Sequence, residues 1–222
     1  MKSITEYSFR DIVGKFVKAH FPKGIRYFSM IHSEGERPKL ADFDEYIAYV
    51  YIDTSAGMTF EIIGGYSEGR IFKDPTSSNK VRYGDDIMLE IFDDPDEEMN
   101  DTAKFIEENY TPDWILPMRE NTIYDPYRDK AFPDDLLIPI HSISEEDGMQ
   151  FDVSELLWVR PNCLYEGNLI GETIESGKNF ERGTQVLIVR ITDGNYKISA
   201  MTFEMIKIIN ESDNPAGYFK MV

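Results

Sequence analysis

The side chains best suited to catalysis are few and widely separated in this chain. The three histidines, His20, His32 and His141, form neither an HxH nor an HxxxH pair, the spacings that bring two imidazoles to one metal ion. The single cysteine, Cys163, excludes an internal disulfide and a multi-thiolate metal site. Phosphate-binding glycine loops and dinucleotide fingerprints are absent from the sequence. We therefore assign no catalytic residue, no metal ligand and no cofactor, and favour a protein that is not an enzyme.

Carboxylates, in contrast, are abundant: the 222 residues include 41 acids and 23 bases, for a net charge of −18. So many acids give no means of selecting a pair for acid–base catalysis. The charge is evenly divided, since residues 1–111 carry 22 acids and 13 bases and residues 112–222 carry 19 and 10. A surface of this sign repels phosphate backbones, which argues against nucleic-acid binding. It favours a basic protein partner, or serves solubility alone.

The apolar residues are distributed as in a globular protein. They make up 41% of the chain, with 13% aromatic residues, which is enough for a packed core. No apolar run approaches the roughly 20 residues that a membrane-spanning helix needs. The N-terminal stretch, residues 1–6, becomes polar at once, unlike a signal peptide. We expect a cytoplasmic protein without membrane insertion.

Residues 8–20 are predicted to form an amphipathic helix. Ser8 can cap this helix together with Asp11, and Pro22 follows its end. The apolar stripe of the helix consists of Phe9, Ile12, Val13, Phe16 and Val17. A stripe of this width is typical of a helix that packs on the sheet of its own domain. A helix that binds a partner is the alternative.

The sheet itself is predicted from the residues that follow. Residues 46–52 are apolar on both alternating faces, as a central covered strand would be, and residues 53–57 form a hairpin loop to a strand at 58–62. Further strands are expected at residues 70–72 and 86–92. One N-terminal helix packed on four or five antiparallel strands is an α+β domain, to which we assign residues 1–123.

Five acids stand close together at Asp93, Asp94, Asp96, Glu97 and Glu98. The run lacks the glycine and the ligand spacing of a calcium-binding loop. We interpret it as the start of a helix in which Asp94 is the cap and Pro95 occupies the first turn. The residues of this helix predicted to face the core are Thr102, Phe105, Ile106 and Tyr110. The same five acids are our candidate contact for a basic partner.

Prolines then recur, at Pro112, Pro117, Pro126, Pro133 and Pro139. We interpret this segment as an ordered connector between two bodies, because a flexible linker would be rich in glycine and serine. Four aromatic residues are predicted to pack where the bodies join: Trp114, Tyr124, Tyr127 and Phe132. The alternative is that these four side chains line a cleft at the junction, a common location of ligand sites.

The C-terminal part, residues 124–222, is predicted to contain the connector and a small all-β barrel of the OB or SH3 type. Within residues 158–200, short β-prone runs are separated by glycines every few residues. Such punctuation is typical of a tightly turned barrel.

Several residues of this stretch follow a known pattern: Arg160, Pro161, Gly177, Phe180, Gly183, Thr184, Val186, Ile188, Gly194, Asn195 and Ile198. In this pattern about forty residues resemble the C-terminal domain of NfeD-family proteins. The resemblance implies a five-stranded OB-like barrel that is used for protein contacts. The transmembrane helices and the serine-protease domain that usually accompany this domain have no counterpart in the sequence.

These observations favour an acidic, non-catalytic protein that binds a protein partner, such as an inhibitor or an immunity-like module for a basic protein. The alternative is a small-molecule-binding protein or a hydrolase whose site lies at the aromatic junction.

Overall fold

A computed structural model describes residues 1–22, 43–73, 79–146, 149–191 and 197–211 of the chain. Of these residues, 46% lie in strands and 25% in helices, so the protein is mostly β. The chain divides into two compact units. The first consists of Met1–Leu116 and Lys130–Pro133, and the second of Pro117–Asp129 and Asp134–Val222.

The first unit is built around an antiparallel sheet. Its described elements are β1 (Lys2–Ser3), α1 (Phe9–Ile12), β2 (Phe16–His20), β3 (Glu45–Asp53), β4 (Gly57–Ser67), β5 (Arg70–Lys73), β6 (Asn79–Arg82), β7 (Met88–Ile91) and α2 (Glu97–Tyr110). The strand order is β1-β7-β2-β3-β4-β5, and β6 also pairs with β4. Short 3₁₀ helices lie at Ile4–Glu6 and Asp113–Ile115.

The predicted helix over residues 8–20 is wrong beyond its first turn. Ser8 caps α1 and Asp11 completes the capping box, as expected, but the helix ends at Ile12. Gly14 follows with a φ of +78°, a conformation that glycine adopts easily and that leaves the helix. The chain then enters β2, which lies between β7 and β3.

Both faces of β2 are covered, which explains the misleading apolar stripe. Phe16 packs with Tyr49 on one face of the sheet, whereas Val17 and Ala19 belong to the core on the other. A central strand with two apolar faces and an amphipathic helix both accept apolar residues at these positions. Pairing with distant strands decides between them.

The predicted covered strand at residues 46–52 is confirmed by β3. Its even-numbered side chains, such as Tyr46 and Val50, lie in the larger core, and its odd-numbered ones, such as Tyr49, lie beneath α2. Helix α2 contributes Met99 and Ile106 to this second core. The Tyr49 hydroxyl also donates a hydrogen bond to Glu107, which ties the helix to the centre of the sheet.

The second unit contains a closed barrel. Its described elements are α3 (Leu116–Glu120, which begins on the last residue of the first unit), a 3₁₀ helix at Thr122–Tyr127, β8 (Leu136–Glu146), β9 (Met149–Tyr165), β10 (Asn168–Thr173), β11 (Gln185–Arg190), β12 (Ile198–Thr202) and α4 (Phe203–Glu211). Each barrel strand pairs antiparallel with the next along the chain, and β12 pairs in parallel with β8 to close the circle.

The barrel interior is apolar and comes from alternate positions of the strands. Its buried side chains include Leu136, Ile138, Ile140, Leu157, Val159, Val186, Ile188, Ile198 and Ala200. Outside the barrel, Met205 and Ile209 of α4 pack with Met201 of β12. Helix α4 therefore covers part of the outer surface of the barrel.

The predicted fold class is wrong. An α+β fold with an N-terminal helix packed on an antiparallel sheet is replaced by a mostly β protein with two sheets and short helices. The barrel also differs from the OB-like topology that the NfeD resemblance implies. Its strands follow one another as a meander, whereas an OB-fold is a Greek-key barrel.

No helix in the described part of the chain is both long enough and apolar enough to cross a membrane.

Candidate functional site

The five candidate contact acids lie at the start of α2, and all five are exposed: Asp93, Asp94, Asp96, Glu97 and Glu98. The predicted cap, Asp94, is wrong by two residues. Asp96 caps the helix, since its carboxylate accepts a hydrogen bond of 2.9 Å from the backbone N–H of Met99. The acids at the first turn lie at the positive end of the helix dipole, which stabilises them.

Lys73 on β5 fixes two of these acids. Its ammonium group lies 2.8 Å from Asp96 and 2.7 Å from Glu98. Partial burial lowers the pKa of Lys73, but the hydrogen bonds to Asp96 and Glu98 outweigh it, and the pKa is raised above its usual value. The same bond to Lys73, followed by that from Met99, lowers the pKa of Asp96. Lys73 thus holds Asp96 and Glu98 at the end of a folded helix, and Asp96 stays ionised at neutral pH.

The outer face of α2 carries an aromatic side chain that was predicted to lie in the core. Phe105 is 64% exposed, whereas Ile106 beside it is buried against the sheet. Met99 is the other fully buried residue of the helix. The buried stripe therefore runs along one side of α2, and Phe105 lies on the side that faces solvent.

The four aromatic residues of the predicted junction cleft are divided between the units. Trp114 and Phe132 belong to the first, and Tyr124 and Tyr127 belong to the second. All four are partly buried. The Tyr127 hydroxyl accepts a hydrogen bond of 2.8 Å from the backbone N–H of Lys197, within the second unit. The cleft stays a prediction.

Two aspartate–arginine pairs that the sequence did not reveal lie within the second unit. Arg119 of α3 donates two hydrogen bonds, of 3.0 and 2.7 Å, to Asp134. Arg160 of β9 donates two of 2.7 Å to Asp135. The two consecutive aspartates, at the turn before β8, therefore contact two different arginines. Burial raises the pKa of Asp135, although Arg160 opposes this effect.

A surface depression of about 530 Å³ lies on the loop between β10 and β11, lined by residues 176–182. This loop carries two basic residues, Lys178 and Arg182, although the chain as a whole is acidic. The backbone N–H groups at its turn are already bonded to a carboxylate of the same chain, that of Glu155. This arrangement stabilises the loop and occupies donors that a bound anion would otherwise use.

The histidines do not form a site in the described part of the chain. His20 Nδ1 lies 2.9 Å from the backbone oxygen of Asp44, and His141 is only 5% exposed. His32 lies outside the described residues, as do Gly194 and Asn195 of the NfeD-like pattern. Among the described residues, no group of three or more His, Cys, Asp and Glu side chains converges to hold a metal ion.

One motif of nucleophilic enzymes was absent from the predictions above. Gly65–Gly69 has the Gly-x-Ser-x-Gly spacing of a nucleophile elbow, in which a serine lies on a turn from a strand to a helix. Here Ser67 ends β4 and residues 68–69 turn directly into β5. The motif forms a β-hairpin turn, so it does not place Ser67 as a nucleophile.

No protein-family model, curated protein or solved structure matches this chain. The resemblance to NfeD domains therefore rests only on the residues quoted above. The function has to be argued from the arrangement of the residues themselves.

Proposed function

We propose that this protein is a non-catalytic binding module that holds a basic protein partner, in the manner of an inhibitor or an immunity protein. The observation that carries the proposal is the position of five exposed acids within residues 93–98, at the capped start of α2 and in the segment just before it. A preformed charged surface binds without the entropic cost of ordering a loop.

The electrostatics support the same choice of partner. A net charge of −18 attracts a basic protein over distances of about a Debye length, roughly 10 Å at 0.1 M salt. Such attraction accelerates encounter and weakens steeply as salt is added. A partner bound through this surface is therefore expected to be released by salt.

A cytoplasmic location fits this function. Cys163 is a free and exposed thiol. Exposed unpaired cysteines persist in compartments where thiols are kept reduced.

The test is capture of a partner from native lysate with the tagged protein as bait, at about 50 mM and about 500 mM salt. We expect a stoichiometric basic protein at low salt and its release at high salt. The discriminating variant carries Asp93→Asn, Asp94→Asn and Glu97→Gln, which removes three exposed charges but retains the Asp96 cap and the Lys73 contacts. This variant should capture much less of the partner.

The matched control removes the same number of charges elsewhere, through Glu120→Gln, Glu166→Gln and Glu204→Gln, all exposed residues of the second unit. The control should capture as much partner as the wild type. Equal losses of captured partner in both variants would mean that binding depends on the total charge of the protein and not on residues 93–98. Capture that does not respond to salt, or no capture at either salt, would contradict the proposal.

A further inference from the structure

We propose that Phe105 is the apolar anchor of this binding surface, and that the partner presents an apolar stripe or pocket bordered by lysine or arginine. The inference rests on the proposed function and specifies the chemistry of the partner. It assigns the contact to the outer face of α2, beyond the acids at the start of the helix.

The geometry of α2 places Phe105 on the polar, solvent-facing side of the helix. Side chains three and four residues apart are neighbours on a helix. Those neighbours of Phe105 are Asp101, Thr102, Glu108 and Asn109, and Glu98 lies a further turn toward the N-terminus. The buried residues Met99 and Ile106 lie on the other side of the helix. An exposed aromatic ring with polar and acidic neighbours has the layout of an interface hot spot with its rim.

The rim is acidic. Between residues 93 and 110 there are eight carboxylates and a single base, Lys104. The side chains of Glu98 and Glu108 are 76% and 64% exposed. Lys104 lies 4.0 Å from Glu108, at the limit of an ion pair, and is itself highly exposed. Such a pair is weak in water, so its charges stay available to a partner.

The negative charge around Phe105 determines which kind of molecule can bind this face of α2. A second copy of the chain would bring a net charge of −18 against the same acidic face and would be repelled. An anionic lipid surface would be repelled in the same way. A basic protein segment satisfies both requirements, because its apolar residues cover Phe105 while its cations meet the surrounding carboxylates.

Two synthetic helical peptides of equal length and equal positive charge test the proposal. One has leucines in a stripe bordered by lysines, and the other has serines in place of the leucines. We expect the wild type to bind the leucine peptide at least about tenfold more tightly, the effect of one well-buried anchor. Phe105→Ala should abolish this preference, and both peptides should still bind in a salt-dependent way. Because Phe105 is exposed and alanine favours helix, the variant should fold, which circular dichroism and the unfolding temperature would verify.

The matched control is Tyr165→Ala, since Tyr165 at the end of β9 is 62% exposed, like Phe105, but lies in the second unit. This variant should retain the full preference. If Phe105→Ala also retains it, Phe105 is not the anchor, although salt-dependent binding of both peptides would leave the proposed function intact. If neither peptide binds the wild type at about 50 mM salt, both proposals fail. Self-association of the wild type that Phe105→Ala abolishes would assign the face to a second copy and overturn the inference.

Discussion

The carboxylate of Glu155 occupies the space that the missing side chain of Gly177 leaves open. A Cβ atom on residue 177 would lie 2.3 Å from Glu155 Oε1, far inside van der Waals contact. With that space open, Glu155 accepts hydrogen bonds of 2.7 Å from the N–H of Lys178 and 2.9 Å from that of Asn179. These bonds, that of Asn179 first, lower the pKa of Glu155. Gly177 therefore makes room for a contact with a side chain of β9.

We expect Gly177→Ala to displace the Glu155 side chain and loosen the loop between β10 and β11. The unfolding temperature should fall by a few degrees, and the amides of Lys178 and Asn179 should exchange hydrogen faster. Glu155→Gln should have a similar but smaller effect, because a neutral acceptor forms weaker hydrogen bonds. The double variant should be little worse than Gly177→Ala alone, since both changes remove the same bonds. Strict additivity would show that the two residues act independently.

The pair of Arg160 and Asp135 gives the largest expected loss of stability. Asp135 is 3% exposed, so Asp135→Ala leaves a half-buried guanidinium without its bidentate partner. We expect a loss of about 2–3 kcal/mol in the free energy of unfolding, below the full cost for a buried pair because Arg160 retains some solvent contact. The control is Glu108→Ala, which breaks the exposed Lys104–Glu108 pair and should cost about 0–1 kcal/mol. Denaturant titrations would measure both, and equal losses would contradict the difference in burial.

Local signals in the sequence predicted local structure well. The Ser8–Asp11 capping box and the covered strand at residues 46–52 are confirmed because each depends on a few adjacent residues. The position of β2 was missed because Phe16 and Val17 fit a helix stripe and a covered strand equally well. Only pairing with β7 and β3, far away in sequence, selects the strand.

In the candidate site, too, features set by adjacent residues could be predicted, whereas contacts between distant residues could not. Exposure of the acids at residues 93–98 follows from their charge alone. The outward position of Phe105 does not, because the sequence gives a helical period without saying which side of α2 meets the sheet. The contacts of Asp134, Asp135 and Glu155 join residues at least 15 positions apart, and no pattern of adjacent residues signals them.

We expect His141 to make the second unit less stable in mild acid. Its Nε2 atom is buried without a hydrogen-bond partner in the described structure, and burial lowers its pKa below 6.5, although Asp152 acts in the opposite direction. The unfolded chain therefore takes up a proton near pH 6.5 that the folded chain does not. Stability is fully present above that pH and is lost as the pH falls below it.

Unfolding temperatures measured from pH 8 down to about pH 5.5 should thus decrease for the wild type and change less for His141→Leu. The range stops there because Asp135, whose pKa is raised by burial, contributes with the opposite sign at lower pH. Parallel curves for the two proteins would show that another group is responsible.

Lys80 lies beside two tyrosine rings of the first unit that contact each other. Its Nζ atom is 5.5 Å from the ring centre of Tyr51 and 5.1 Å from that of Tyr110, and it lies 3.5 Å from a carboxylate oxygen of Glu61. Burial raises the pKa of Tyr51 to about 12, although the hydrogen bond with Lys80 lowers it. The Tyr51 hydroxyl is therefore neutral at physiological pH, and Lys80 is held by the ring faces, by Glu61 and by hydrogen bonds to the tyrosine hydroxyls, that to Tyr110 measuring 3.3 Å. Lys80→Met retains the length of the side chain and removes its charge, so we expect a loss of about 1 kcal/mol from the cation–π contacts. Lys104→Met on the exposed face of α2 is the control and should change stability by less than about 0.5 kcal/mol.

Tyrosine absorbance during alkaline titration gives a second readout, since loss of Lys80 should raise the pKa of Tyr51 further. An unchanged titration in Lys80→Met would show that the ammonium group does not interact with the Tyr51 hydroxyl.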